Sequence, residues 1–121
     1  MDLDQLRIRG ESVALPKPIK APRHSAGEHF LRGPIPLTWL THAASAAGRS
    51  SGFKVAIALW YLVGLNHQES TVTLTGRALR AFGMDRYAGY RGLAALEAAG
   101  LVSVQRRTGQ APRVTVKAVD V

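Results

Sequence analysis

The residues best suited to chemistry in this sequence are arginines, and they are concentrated in the C-terminal half of the chain. From Thr71 to Val121 there are seven arginines and one lysine against three acidic residues, a net charge of +5. A guanidinium offers a planar fork of N–H donors that matches two phosphate oxygens or the edge of a guanine, which an ammonium cannot do. This pattern indicates an anionic partner, with nucleic acid first and a membrane surface second.

The other polar residues give little support for catalysis. The chain has no cysteine, which excludes disulfides, thiolate zinc sites and cysteine nucleophiles. The four histidines are widely separated, and none stands three or four residues from another histidine or a carboxylate on a convincing helix. Outside the N-terminal arm, the helix caps and the C-terminus, only Glu69 and Glu97 are acidic, and they do not form a pair. We therefore expect no enzymatic activity, no catalytic or metal-binding residues, no cofactor and no small-molecule ligand.

The length and composition fit one folded domain. The 121 residues have a mass of 13.0 kDa, a formal net charge of +8 and an apolar fraction of 46%, enough for a single core. The longest uncharged apolar run, Val55–Leu65, has eleven residues, whereas a bilayer needs ~20. Asp2 and Asp4 stand where a secretory leader would be basic. We expect a soluble, cytoplasmic protein without a membrane partner.

The first 32 residues differ from the rest of the chain. They contain three prolines, scattered charges with a net value of +2, and no apolar period that lasts two helical turns. We interpret residues 1–32 as an irregular basic N-terminal arm, docked in part through Leu6, Ile8, Val13 and Leu15. Residues 33–121 are then the folded domain.

Residues that commonly start and end helices predict two helices at the beginning of this domain. Pro36 near the start and Gly48 just past the end predict a first helix over residues 37–47. Ser50 or Ser51 is expected to cap a second helix that runs to Leu65. The second helix is apolar nearly all round, so we expect it to be the centre of the core.

Two further helices are predicted on either side of a tight turn at Gly83. Thr75 is expected to cap the first, Gly76–Phe82, and Asp85 the second, Arg86–Ala99. An apolar stripe on the second helix contains two glycines. We expect these to allow close packing against the helix that ends at Leu65; the alternative is a helix that is only marginally stable until DNA binds. The stripe consists of Gly89, Gly92, Leu93, Leu96 and Ala99.

Strand patterns complete the domain. Thr71–Leu74 is a β-branched alternation long enough for one short strand. The last 20 residues predict a β-hairpin, because valines alternate with polar residues on both sides of a basic, turn-forming tip. The valines are Val102, Val104, Val114 and Val116, and the tip runs from Arg106 to Arg113.

The order helix, helix, short strand, helix, tight turn, helix, hairpin resembles the winged helix-turn-helix family of small bacterial transcriptional regulators. The resemblance is tightest from Leu74 to Val116, about a third of the chain. This part includes the segment L-E-A-A-G-L-V at Leu96–Val102. It implies a mainly α fold with a small β-hairpin (α+β) and binding to double-stranded DNA. It does not imply a target sequence.

In that family the second helix of the motif enters the major groove and the hairpin, called the wing, contacts an adjacent minor groove or its phosphates. Carried over to this chain, the resemblance makes residues 86–99 the recognition helix, with a reading face of Arg86, Tyr87, Tyr90 and Arg91. The preceding helix would place Arg77 and Arg80 near the DNA backbone. The wing, residues 105–113, would use Arg106, Arg107 and Arg113.

Other interpretations remain open at this point. Each arginine could simply be solvated, Tyr87 and Tyr90 could pack against the hairpin, and the charges at Arg106 and Arg107 could protect a sheet edge. The domain could be a protein-interaction adaptor, or an accessory factor in replication or transfer of a plasmid or mobile element. We also expect a nucleoid-associated homodimer, because a second apolar face is predicted on the first helix. That face consists of Trp39, Leu40, Ala43, Ala44, Ala46 and Ala47.

Overall fold

A computed structural model describes residues 21–48 and 50–119. These residues form four helices and a three-stranded antiparallel sheet, so the predicted α+β class is confirmed. Along the chain the elements are α1 (Leu37–Ala47), α2 (Gly52–Leu65), β1 (Thr71–Thr73), α3 (Gly76–Ala81), α4 (Arg86–Ala98), β2 (Val102–Arg107) and β3 (Gln110–Val116).

Both predicted side-chain caps of the last two helices are present. Thr75 Oγ1 accepts a hydrogen bond from Ala78 N at 3.1 Å, and Asp85 Oδ1 accepts one from Ala88 N at 2.8 Å. Each satisfies one of the backbone N–H groups that the first turn of a helix leaves without a partner. Gly83, with φ of 75°, turns the chain between α3 and α4, a conformation that favours glycine. The two helices each end one residue before the predicted limit.

The second helix, α2, is the centre of the core, as its apolar sequence predicted. It packs against α1, α4 and β1, and its residues Val55, Leu59 and Val63 are buried. The other elements do not fully cover the two ends of α2, where Phe53 and Leu65 are 40% and 48% exposed. Of the two serines predicted to cap its start, Ser51 makes no side-chain capping bond, whereas Ser50 Oγ accepts a hydrogen bond from Gly52 N at 3.1 Å.

The sheet has the strand order β1-β3-β2, so the short strand joins the hairpin through β3. Val114 of β3 lies opposite Val72 of β1 and Val104 of β2, and it is fully buried. The predicted tip at residues 106–113 is too long, because the strands extend to Arg107 and resume at Gln110. Pro112 lies in the central strand, β3. A register irregularity opposite residues 105–107 accommodates this proline, and the two strands stay paired on both sides of it.

The two glycines of the α4 stripe allow close packing, as predicted, but against different partners. A Cβ on Gly92 would lie 2.7 Å from the carbonyl carbon of Ser51 at the start of α2. A Cβ on Gly89 would lie 2.6 Å from the Leu79 methyl groups of α3. The close approach to α2 is therefore confirmed for Gly92, whereas Gly89 makes room for α3. Ala99 lies outside the buried stripe, because it is exposed beyond the helix end.

The second apolar face predicted on α1 is wrong for half of its residues. Trp39, Ala43 and Ala47 are buried inside this chain, because they form the side of α1 that packs on the core. Ala44 is exposed, and Leu40 and Ala46 are half-buried. The most exposed large apolar residue of α1 is instead Leu37, at 76% exposure.

The described part of the N-terminal arm, residues 21–32, contains no helix or strand and lies against α2. His29 Nδ1 and Tyr61 Oη of α2 are 2.8 Å apart, and the Arg32 side chain packs over Gly64. The predicted docking residues Leu6, Ile8, Val13 and Leu15 lie outside the described residues, as does the rest of residues 1–20.

Candidate nucleic-acid interface

The four residues predicted as a reading face on α4 are all exposed, but they divide between two sides of the helix. Burial of Gly89, Gly92, Leu93 and Leu96 fixes the inner side. With 3.6 residues per turn, Tyr87 and Arg91 then lie on the side directly opposite, together with Ala94. Arg86 and Tyr90 lie on the flank that faces the β2–β3 hairpin.

Tyr87 and Arg91 form a pair on the outermost side of α4. Tyr87 is 69% exposed, and the Arg91 guanidinium carbon lies 5.3 Å from the centre of its ring. The two residues are one helical turn apart, the spacing at which side chains on a helix meet. The contact has cation–π geometry, and both residues are exposed.

Arg86 and Tyr90 share a cleft with the hairpin arginines. The cleft has a volume of about 530 Å³ and lies between α4, the start of α3 and the hairpin turn. Arg106 and Arg107 line its opposite wall. The fold therefore brings two residues predicted on the helix next to two predicted on the hairpin. Tyr90, at 40% exposure, lines the cleft, whereas Tyr87 does not.

One hairpin arginine has an internal partner that the sequence did not reveal. Arg106 Nη2 donates to Glu97 Oε1 at 3.0 Å, and Arg106 Nη1 to Glu97 Oε2 at 3.4 Å. The hydrogen bond to Glu97 raises the pKa of Arg106 above its ordinary value. The fork that was predicted to meet DNA is directed at a carboxylate of α4 in this structure.

The remaining predicted arginines lie at separate places around this surface. Arg77 and Arg80 are exposed on α3, and Arg80 lines a shallow hollow with Arg86 at the start of α4. Arg113 is on β3 but does not line the cleft; it lies with Leu62 and Asn66 at the end of α2, beside β1. The structure therefore separates Arg113 from Arg106 and Arg107, with which it was grouped.

The charge on this side of the molecule is strongly unbalanced. Between residues of the described ranges, the pair Arg106–Glu97 is the only ion pair. Asp85, the other acidic residue of the region, accepts the capping hydrogen bond of α4. Six arginines of α3, α4 and the hairpin thus have no acidic partner within the described chain: Arg77, Arg80, Arg86, Arg91, Arg107 and Arg113.

No family model, curated protein or solved structure matches this chain. Within the described ranges, no group of three or more histidine, cysteine, aspartate or glutamate side chains is placed to hold a metal ion. None of the four helices has the length and hydropathy that a membrane-spanning helix needs.

Proposed function

We propose that this protein is a sequence-specific double-stranded DNA-binding protein of the winged helix-turn-helix class, acting as a transcriptional regulator. In this proposal α3 and α4 are the helix-turn-helix, α4 is the recognition helix, and the β2–β3 hairpin is the wing. One observation carries it: the exposed pair Tyr87–Arg91 on α4 stands beside a cleft that gathers Arg86 and Arg107 from two elements.

The reading function is assigned to the first two turns of α4. Base edges in the major groove present donors, acceptors and the thymine methyl group to an inserted helix. Arg91, held against the Tyr87 ring, would donate its fork to guanine O6 and N7, and the tyrosine would pack against a thymine methyl or donate to a phosphate. Arg86 is the first residue of α4 and lies on the flank that faces the hairpin, so it would contact the same groove closer to the wing.

The backbone contacts are assigned to the hairpin and α3. Arg107 ends β2 at the turn and has no acidic partner within the described residues, so it is available for phosphates or a narrow minor groove. Arg77 and Arg80 would approach phosphates from α3, and Arg113 would do so only where DNA extends toward β1. Arg106 is assigned a structural role, because Glu97 occupies its fork.

Dimerisation and location are part of the same proposal. Two copies related by a two-fold axis would read an inverted repeat and enlarge the small contact area of a single module. The surface that α1 leaves for this contact is the row Leu37, Leu40 and Ala44, three or four residues apart. A DNA-binding role would place the protein with the nucleoid in the cytoplasm.

The proposal is tested by titrating labelled duplex DNA with the protein at several salt concentrations. Each phosphate neutralised by a cation should contribute about −0.9 to the slope of log affinity against log salt. Arg107→Ala should reduce that slope by about one contact, whereas Arg23→Ala, which removes the same charge from the arm, should leave it unchanged. A wild-type protein that binds no duplex at low salt would contradict the proposal and favour the adaptor interpretation.

A further inference from the structure

A second cavity lies where the start of α1, the end of α2 and the end of the sheet meet. Its volume is about 420 Å³, within the range of small-molecule sites in proteins. It shares no lining residue with the cleft beside α4. Its walls are mainly apolar and aromatic, and are formed chiefly by Pro34, Pro36, Trp39, Trp60, Val63 and Val116.

The two tryptophans of this wall carry unsatisfied donors. Trp39 and Trp60 are 1% and 8% exposed, and their rings meet edge to face with centres 5.5 Å apart. Neither indole Nε1 has a hydrogen-bond partner in the structure. Buried N–H groups in proteins almost always have an acceptor, and the indole N–H can only donate. A ligand with acceptor oxygens would satisfy one of these donors if its ring turned toward the cavity.

The mouth of the cavity adds a positive charge. Lys117, directly after Val116, lines the cavity and is exposed. Its backbone N–H donates a hydrogen bond to Leu101 O at 2.9 Å, which fixes the position of its backbone. Among the residues that the structure describes, none with an acidic side chain lines this cavity. An ammonium at the edge of an apolar cavity favours an anion whose charge is carried by oxygen atoms.

From these observations we propose that the cavity binds a small carboxylate with an apolar body, such as an aryl or branched-chain acid. The carboxylate would interact with the Lys117 ammonium and accept from an indole N–H, while the apolar body would contact the proline, valine and tryptophan side chains. Both indole nitrogens are buried, so a hydrogen bond to the ligand requires that one ring rotate toward the cavity. This inference does not depend on DNA binding.

Intrinsic fluorescence tests this site specifically, because the chain contains two tryptophans and both line the cavity. Phenylacetate, isovalerate and hexanoate should each change the emission in a saturable manner. Acetate, which has the charge without the apolar body, should not. Phenylacetamide, which has the body without the charge, should bind roughly tenfold more weakly than phenylacetate.

Two variants separate the site from non-specific effects. Lys117→Gln should reduce the affinity for phenylacetate about tenfold, to that of the amide, whereas Lys54→Gln on exposed α2 surface should not. Val119→Phe should fill the cavity from the chain segment after β3 and abolish binding, with circular dichroism confirming the fold. A lack of saturable response to all three carboxylates would overturn the proposal. So would equal affinity for the acid and its amide, or undiminished binding by the Val119→Phe variant.

Discussion

Arg106 of the hairpin and Glu97 of α4 form a two-point ion pair, with N···O distances of 3.0 and 3.4 Å. The pair joins the last turns of the proposed recognition helix to β2, the first strand of the proposed wing. Because the two side chains are 57% and 38% exposed, it contributes little to stability, about 0–1 kcal/mol. Its consequence for function is larger, since it decides which hairpin arginine is available to a phosphate.

We therefore predict that the two adjacent hairpin arginines differ in their effect on DNA binding. Arg107→Ala should weaken binding to all duplexes by about tenfold, because it removes an unpaired cation from the proposed backbone contact. Arg106→Ala should weaken binding by less than threefold, because Glu97 already engages that side chain. Fluorescence anisotropy at fixed salt measures both.

The control for this difference is Glu97→Gln, which keeps the size of the side chain and removes its charge. In that background Arg106 is released, so Arg106→Ala should now cost about as much affinity as Arg107→Ala. Equal losses from the two arginine substitutions with Glu97 intact would show that the ion pair does not restrain Arg106.

Gly92→Ala should destabilise the fold even though alanine is the better helix former. The added Cβ would lie 2.7 Å from a backbone carbon of Ser51, which cannot turn aside as a side chain can, so α4 must move away from α2. We expect a loss of about 1–3 kcal/mol in the free energy of unfolding, measured in urea.

Two substitutions on the same helix provide the comparison for Gly92→Ala. Gly89→Ala should cost less, because the new Cβ would meet the Leu79 side chain, its methyl groups and Cγ, rather than backbone atoms. Ala94→Gly, on the exposed side, should cost about 0.5–1 kcal/mol from backbone entropy alone. A Gly92→Ala variant that is more stable than the wild type would exclude the close packing of α4 on α2.

Helix limits in this chain could be predicted from sequence because their causes are local. Thr75 and Asp85 are caps whose side chains bond to N–H groups three residues ahead, so both bonds depend only on nearby residues. Gly83 and Gly100 both adopt positive φ where the helices end. The central position of α2 likewise followed from its composition.

The features that sequence could not supply depend on contacts between elements. Glu97 and Arg106 are nine residues apart on different elements, and charge alone does not reveal that they meet. Alanine is equally common on both sides of α1, so composition did not show that Ala43 faces the core and Ala44 solvent. The predicted hairpin turn was too long, because Pro112 favoured a loop. In the structure a register irregularity keeps Pro112 within β3.

Arg91→Lys should reduce sequence discrimination more than total affinity. The substitution keeps the charge but loses the planar fork that the proposed guanine contact requires. We expect the difference in binding free energy between the preferred duplex and a shuffled one to fall by about 1–3 kcal/mol, while the affinity for the shuffled duplex stays within twofold. Competition titrations measure both, and an unchanged ratio would remove Arg91 from the reading face.

Leu37→Glu should dissociate the proposed dimer, because it places a charge on the exposed apolar row of α1. The matched control is Thr38→Glu, which adds the same charge at the next exposed position on α1, about a quarter-turn away. Light scattering after size-exclusion chromatography gives the mass directly. A wild-type protein that is monomeric at every concentration would contradict dimerisation but leave single-site DNA binding intact.

Selection of bound duplexes from a random pool measures whether α4 reads a DNA sequence. The wild-type protein should enrich a defined motif, and the variant that combines Arg86→Ala with Arg91→Ala should lose it while it still binds DNA through the wing. Failure to enrich any motif would contradict sequence-specific binding. Enrichment of the same motif by the double variant would show that α4 does not read it.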